Sequence, residues 1–435
     1  MSQQPISQQY RQILTDHFPA EISLKIGSTT LIYHKQVYKI KSGEGEISGG
    51  LRYGENPGQE AALYRLVNGH LTQTGVQYVG PREALVSALA DGNPATNMMF
   101  GCGKHPSKTN LTDVDAALGI LRYLADRPAA VIIKHNNPSG AALGRTVKAA
   151  FEKAWAGDRV AAFGGAAVVN RPVDRALALA INRRYLEVVA APDFEDGSLE
   201  ILGRKKDLRI FKIKNIDQLG DLAAKRFLDI KSLTDGGLIL QQSALNAIAG
   251  PESFQPAQAV HEGRSYRPER KPTARELTDL VFGWAVEQGV TSNSVLLVKN
   301  GATVAIGAGG QDRVGIVEMA VWKAYRNFQD ALAAQRHQMS FKELELAVEQ
   351  KKAGQSEVDE IAREAQGAQA GLTGAVMISD AFFPFRDGVD VALRQGVSAI
   401  AHPGGSLRDW EVIEAVNQAR PQAAMVFTGQ RAFKH

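Results

Sequence analysis

Short apolar runs, each closed by a polar cluster rich in Gly or Pro, alternate along this chain with longer segments of three- and four-residue apolar spacing. Ala129–Lys134 is one such run and predicts a strand. Thr146–Ala156 carries helical spacing, Ala161–Val169 predicts a strand, and Val173–Arg184 a second helix. Glu187–Ala191 and Arg209–Ile213 read as further strands. The rhythm restarts after a charged stretch around Lys225–Lys231. Glu276–Gln288 predicts a helix, and Ser294–Lys299 with Thr303–Ala308 flank Asn300-Gly301, a pair suited to a tight hairpin turn. Arg313–Gln335 reads as helix, then Val376–Ser379, Ala399–His402 and Ala424–Thr428 as strands, with a helix at Asp409–Gln418 before the last. Phe341–Ala365, rich in Ala, Glu and Lys and broken by Gly354, reads as a solvated helical hairpin.

This alternation predicts a layered α/β fold. The two halves share a rhythm but no sequence repeat. With 435 residues the chain exceeds what one core usually organises. The predicted division is an N-terminal extension at 1–45 (a short polar helix at Gln8–His17, then strand-like Thr30–Tyr33), a first domain at 46–230, and a second at 231–435 with a helical insert at 338–370.

Composition changes the picture little. A 44% hydrophobic and 22% charged chain is ordinary for a globular protein. A net charge of +4 is too mild for a nucleic-acid binder and agrees with small anionic substrates. The single cysteine, Cys102, excludes an intramolecular disulfide and a multi-cysteine zinc site. No secretory leader and no apolar run long enough for a membrane span is visible, so the expected setting is the cytoplasm.

Candidate chemistry concentrates in Lys134-His135-Asn136-Asn137-Pro138-Ser139-Gly140. Pro138 and Gly140 predict a turn where the apolar strand ends. A cation and an imidazole are thus delivered together at a strand's C-terminal end, where open α/β sheets keep ligand crevices. The pair suits proton removal coupled to stabilisation of a developing oxyanion. Familiar nucleotide motifs fail by comparison. Gly101-Cys102-Gly103-Lys104 lacks the first Gly and the Ser/Thr of a P-loop, and Asp312 stands where a dinucleotide fingerprint needs its third Gly.

Three other segments place polar groups at the ends of apolar runs: Leu51-Arg52-Tyr53-Gly54-Glu55-Asn56-Pro57, Ser379-Asp380-Ala381-Phe382-Phe383-Pro384-Phe385-Arg386-Asp387, and Ile400-Ala401-His402-Pro403-Gly404-Gly405-Ser406. Together with Lys134–Pro138 they closely resemble the formyltransferase part of the bifunctional purine-biosynthesis enzymes (AICAR transformylase/IMP cyclohydrolase), from about Leu51 to His435. The resemblance implies two tandem cytidine-deaminase-like three-layer domains. None of the nine histidines sits in H-x-E, so the deaminase zinc site is not expected. A structural potassium ion is left open.

By the same resemblance, the amine of the ribotide AICAR attacks the formyl carbon of 10-formyltetrahydrofolate, with His135 as general base and Lys134 as oxyanion partner. An imidazole ordinarily titrates near neutrality, which suits the first role. Arg52, Tyr53, His135, Gly164, Glu187, Asn293, Arg313, Phe382 and Arg431 match ribotide-binding positions. Val314, Asp387, Ser406 and Leu407 match folate-binding ones, with Asp387 facing the amino-pyrimidinone edge. Phe383 and Phe385 are expected in the core. Departures are Gly58, where His commonly follows Asn-Pro, and Lys108, in place of Tyr in Gly103-Lys104-His105-Pro106-Ser107-Lys108-Thr109-Asn110. A chain starting this close to the transformylase motifs is expected to leave ring closure to a separate IMP cyclohydrolase, and to form a homodimer with shared active sites. The rival readings are a hydrolase on a related nucleotide, which would need no folate pocket, and a non-catalytic nucleotide sensor, which would need no Lys-His pair. Neither nucleic acid nor membrane is an expected partner.

Overall fold

The computed structural model describes residues 17–42, 45–51, 62–68, 99–100, 105–225, 228–232, 234 and 238–435. The chain divides into two compact units, one of 1–128 with 164–245 and one of 129–163 with 246–435. The predicted boundary near 230 therefore misses one exchange: Ala129–Phe163, which carries the Lys-His pair, belongs with the C-terminal half.

In the C-terminal unit the strands follow the order Gln255–Pro256, Ala424–Phe427, Ala399–His402, Val376–Ser379, Val295–Lys299, Ala302–Gly307, Asn137–Leu143, Ala129–Lys134. Val376–Ser379, Ala399–His402 and Ala424–Phe427 run parallel, and the remaining neighbours pair antiparallel. The parallel strands are buried throughout, and apolar except for the Ser379 and His402 that end two of them, as expected where both faces are covered. On one face Val295, Leu297, Met377 and Ile400 join a core with Val317, Phe383, Val389, Val412 and Val416, contributed by the segments Arg313–His337, Phe383–Arg394 and Asp409–Gln418. On the other, Ile378 and Val298 press on Gly283 of the helix Ala274–Glu287, where a Cβ would fall 2.3 Å from the Ile378 side chain. The helix Val147–Gly157 crosses the hairpin of Ala129–Lys134 and Asn137–Leu143 so closely that a Cβ on Gly140 would lie 2.0 Å from the Ala154 carbonyl oxygen.

Asn300 and Gly301 have φ of 55° and 67°, so the predicted hairpin forms as a left-handed two-residue turn. The helical hairpin also forms, as Phe341–Glu349 and Gln355–Gly367. Its small core contains Phe341, Leu344 and Ile361 against Ala333. One predicted strand shortens. Asp158 caps a helical turn at Arg159–Ala162, accepting from the Ala161 N–H at 2.9 Å, and the strand begins only at Ala166.

The other unit holds parallel strands Ala166–Val169, Val188–Ala191 and Arg209–Lys212, edged by antiparallel Met99–Phe100. A separate antiparallel sheet joins Glu21–Ile26, Thr29–Lys35 and Tyr64–Asn68. The expected helix at Gln8–His17 lies almost wholly outside the described residues. Among those described, no helix is long and apolar enough to cross a membrane.

Candidate active site

The Lys-His pair occupies a tighter turn than Pro138 and Gly140 suggest. Lys134 pairs directly with Asn137, so His135 and Asn136 alone make the turn, with φ of 54° and 61°. Left-handed backbone at both central positions is the geometry that lets two residues join strongly twisted strands. Pro138 and Gly140 lie inside the returning strand. The His135 ring is exposed and no described residue hydrogen-bonds it, so the backbone sets where it stands. Lys134 donates from Nζ to the Phe163 carbonyl at 2.7 Å, which holds its ammonium beside the turn.

A chain of hydrogen bonds leads from this turn through the C-terminal unit. The Asn137 side-chain oxygen accepts from the Thr291 N–H at 2.9 Å. Asn293 exchanges backbone bonds with Gly310, at 3.0 and 3.1 Å. Its side-chain oxygen accepts from Arg313 Nη2 at 2.8 Å. The other arm of Arg313 donates to Ser379 Oγ (2.9 Å), the Ser294 carbonyl (3.2 Å) and Asp380 Oδ1 (2.5 Å). Arg313 is thus turned inward and orients Asn293, and Asp380, fully buried, balances its charge. The segment bearing Arg431 is fastened to the same place, since Ala432 N–H donates to the Asp380 carbonyl at 3.0 Å. Arg431 itself is exposed and lies over the Phe433 ring, 5.0 Å from its centroid.

Sheet polarity explains the convergence. Ser379, His402 and Phe427 end parallel strands, and Val295 begins the antiparallel neighbour opposite Ser379. Gly307 closes the next strand opposite Val295. Strand ends and beginnings therefore bring Asn293, Arg313, Asp380–Phe382, Pro403–Leu407 and Arg431 to one edge of the sheet. The Lys134–Asn137 turn ends its hairpin at that same edge, because each successive neighbour reverses direction.

The positions matched to folate contacts lie on this edge too. Val314 follows Arg313 in the first turn of the helix Arg313–His337, and Asp387 opens the helix Asp387–Arg394 with its side chain exposed. Ser406 and Leu407 sit in a loop wrapped around Asp409, whose Oδ2 accepts from the N–H groups of Gly405 (2.7 Å) and Ser406 (3.2 Å). Burial pushes the Asp409 carboxyl up, against those two bonds. Leu407 is 97% exposed, an apolar side chain offered to solvent at a loop tip. Phe382 is half-buried and Phe383 is core, as expected. Phe385 is not core: it is half exposed, with Arg408 stacked over it, because it precedes the helix on the solvent side.

Behind the edge lie buried groups that sequence reasoning left without a role. His402 is wedged between the rings of Phe383 and Phe427, and its Nδ1 accepts from the Gly404 N–H at 3.2 Å. Burial, reinforced by the Arg313 charge, pushes its imidazole down to about 3. The folded protein keeps this ring neutral, whereas the unfolded chain protonates it below about 6.5. Between those values the unfolded state binds the extra proton, so His402 makes stability rise with pH. The unfolding midpoint in urea should fall as pH drops from 6.5 towards 4, and the fall should be shallower in His402→Phe. Glu287 accepts from Ser294 Oγ at 2.8 Å, and full burial, together with the Asp380 charge, drives its carboxyl well up, favouring the neutral acid. A run such as Val376–Ser379 delivering Asp380 into an apolar interior is the signal that could have flagged a buried partner.

In the other unit, Gly164 and Glu187 stand just before their strands, not at C-terminal ends. Gly164 has φ of 74°, a backbone state that glycine adopts freely. Glu187 N–H bonds the Gly165 carbonyl at 3.0 Å, which keeps the two positions adjacent. Its Oε2 accepts from Asn110 Nδ2 at 3.1 Å and lies 3.7 Å from Arg209 Nη1. Asn110 and Arg209 carried no role in the sequence reading, yet they hold the acidic group. Arg52 and Tyr53 lie outside the described residues.

The family profile described as AICARFT/IMPCHase bienzyme matches residues 15–323, well over half of the chain. The chain belongs to the AICARFT/IMPCHase family. Proteins called bifunctional purine biosynthesis protein PurH are similar to it: those of Magnetococcus marinus and Persephonella marina at 37% identity, and that of Caldicellulosiruptor saccharolyticus at 33%. The alignments cover 88–89% of this chain and 59% of each relative. The chain therefore spans about three-fifths of the length of these AICARFT/IMPCHase proteins.

Proposed function

We propose that this chain transfers the formyl group of 10-formyltetrahydrofolate to the amine of AICAR, yielding the formylated ribotide (FAICAR) and tetrahydrofolate in purine biosynthesis. The observation that carries the reading is the gathering of the Lys134-His135 turn, the Asn293–Arg313–Asp380 chain and the Ser406-Leu407 loop on one sheet edge. The AICAR amine is a weak nucleophile because its lone pair is delocalised into the ring and carboxamide. As its nitrogen bonds to the formyl carbon, His135 takes the amine proton and the carbonyl electrons move onto oxygen, towards Lys134. Collapse of the tetrahedral centre breaks the bond to the folate N10, which leaves with a proton returned to it.

In this reading Asn293, oriented by Arg313, hydrogen-bonds the carboxamide region, and Phe382 lies beside the imidazole. Arg52, Tyr53, Gly164 and Glu187 hold the phosphate and ribose, and Arg431 adds a substrate contact. Asp387, exposed at a helix start, accepts from the amino-pyrimidinone edge of the folate, while Val314, Ser406 and Leu407 line its path. The family resemblance supports a homodimer as the working form.

The test mixes purified protein with AICAR and 10-formyltetrahydrofolate and follows tetrahydrofolate release and FAICAR formation together. Equal accumulation of the two products supports the transferase. Tight ribotide binding without turnover would sink it in favour of a nucleotide sensor.

A further inference from the structure

His135 and Asn136 both adopt left-handed backbone without being glycine, at φ of 54° and 61°. Residues other than glycine adopt that conformation uncommonly, Asn and His more often than most, and a two-residue hairpin turn requires it at both positions. The His135 ring has no hydrogen-bond partner among the described residues, so its placement is inherited from this turn. The groups that fix the turn therefore bear on what the imidazole can do.

One of them is a side chain far away in sequence. The Lys434 ammonium donates to the Asn136 carbonyl at 3.3 Å and to the Gly289 carbonyl at 2.9 Å. Its own backbone is pinned on both sides of the peptide. Lys434 N–H donates to Ser292 Oγ at 3.1 Å, and Ser292 N–H donates to the Lys434 carbonyl at 3.0 Å. Ser292 adjoins Asn293, so the anchor of Lys434 is continuous with the Asn293–Arg313 chain. Lys434 is half-buried, which strengthens its bonds relative to those of a solvated ammonium. An ammonium offers three donors, and two of them here bridge the catalytic turn to the loop that precedes Asn293.

We infer that Lys434 is a positioning residue: its ammonium clamps the Asn136 carbonyl and thereby fixes the turn that carries His135. The inference rests on His135 acting as the base in formyl transfer. It does not make Lys434 a substrate contact. Its effect belongs in turnover, and ribotide binding through Asn293 and Arg313 should be spared.

The test compares Lys434→Met with Lys434→Arg in the full chain. In Lys434→Met, kcat should fall about 10- to 100-fold, the scale on which small misplacements of a catalytic group act. The KM for AICAR should change far less than kcat, and Lys434→Arg, which keeps a charged double donor, should recover most of the rate. In parallel, the amide and imidazole resonances of His135 should move in Lys434→Met and return in Lys434→Arg. A wild-type kcat in Lys434→Met would overturn the clamp, as would a loss that Arg does not repair. A fall in kcat matched by an equal loss of melting temperature and a raised KM would assign Lys434 to general stability instead. Should the wild type itself show no turnover, the formyl-transfer reading fails, and the resonances alone then decide whether Lys434 fixes the turn.

Discussion

His135→Ala should lower formyl-transfer turnover by about 10²–10⁴-fold, the range expected when a positioned general base is removed. The ring is exposed at the tip of a two-residue turn and lends no packing to the core, so folding should be untouched. The variant should melt with the wild type and still bind AICAR. Single-turnover kinetics with both substrates saturating would isolate the chemical step. A variant that turns over at the wild-type rate would remove His135 from the mechanism, whatever its neighbours do. Lys134 gives a useful contrast: its ammonium is tied to the Phe163 carbonyl, so Lys134→Ala also frees a helix end and should mix structural with chemical loss.

Asp380→Ala should have the largest effect on stability. Arg313 is 8% exposed and Asp380 fully buried, and the pair is joined at 2.5 Å. Removing the carboxylate strands a buried guanidinium, a loss of about 3–5 kcal/mol. Urea denaturation should report it, and calorimetry should show weakened AICAR binding because Arg313 no longer holds Asn293. The double variant Arg313→Met with Asp380→Leu separates the two consequences. Replacing a buried pair with apolar residues of similar volume is often neutral for stability. The double variant should therefore regain much of the folding free energy and none of the binding. If single and double variants are equally unstable, the cost lies in packing and not in charge.

Much of the fold was legible in the sequence because buried parallel strands read as short apolar runs, here closed by a polar residue at the strand end. Val376–Ser379 and Ala399–His402 were placed to the residue for that reason, and Asn300-Gly301 announced its hairpin through turn chemistry. The His135-Asn136 turn was not located, because neither residue is the glycine that marks such turns, while Pro138 and Gly140 gave a louder local signal. Gly140 is there for a different purpose, the close approach of Ala154. The site was legible as a set of motifs but not as a network. Arg313 meets Asp380 across 67 positions and Lys434 meets Asn136 across 298. No local periodicity encodes such pairs; only the strand order does. The same holds for the domain boundary, since a hairpin inserted into a sheet from an earlier stretch of chain leaves no compositional break.

The tightness of the Lys134–Asn137 hairpin has a consequence for how this protein can vary over generations. Ordinary surface loops absorb insertions and deletions more readily than the elements they join. Here the reverse holds. Lys134 pairs with Asn137, and only two residues lie between them. One residue added to or removed from the turn, if taken up by sliding the returning strand, would move Ser139 or Ala141 respectively into the place of Gly140. Either side chain would meet the Ala154 carbonyl, which leaves no room for a Cβ. This loop can therefore exchange letters while its length stays frozen, and lineages should differ here in spelling but not in spacing.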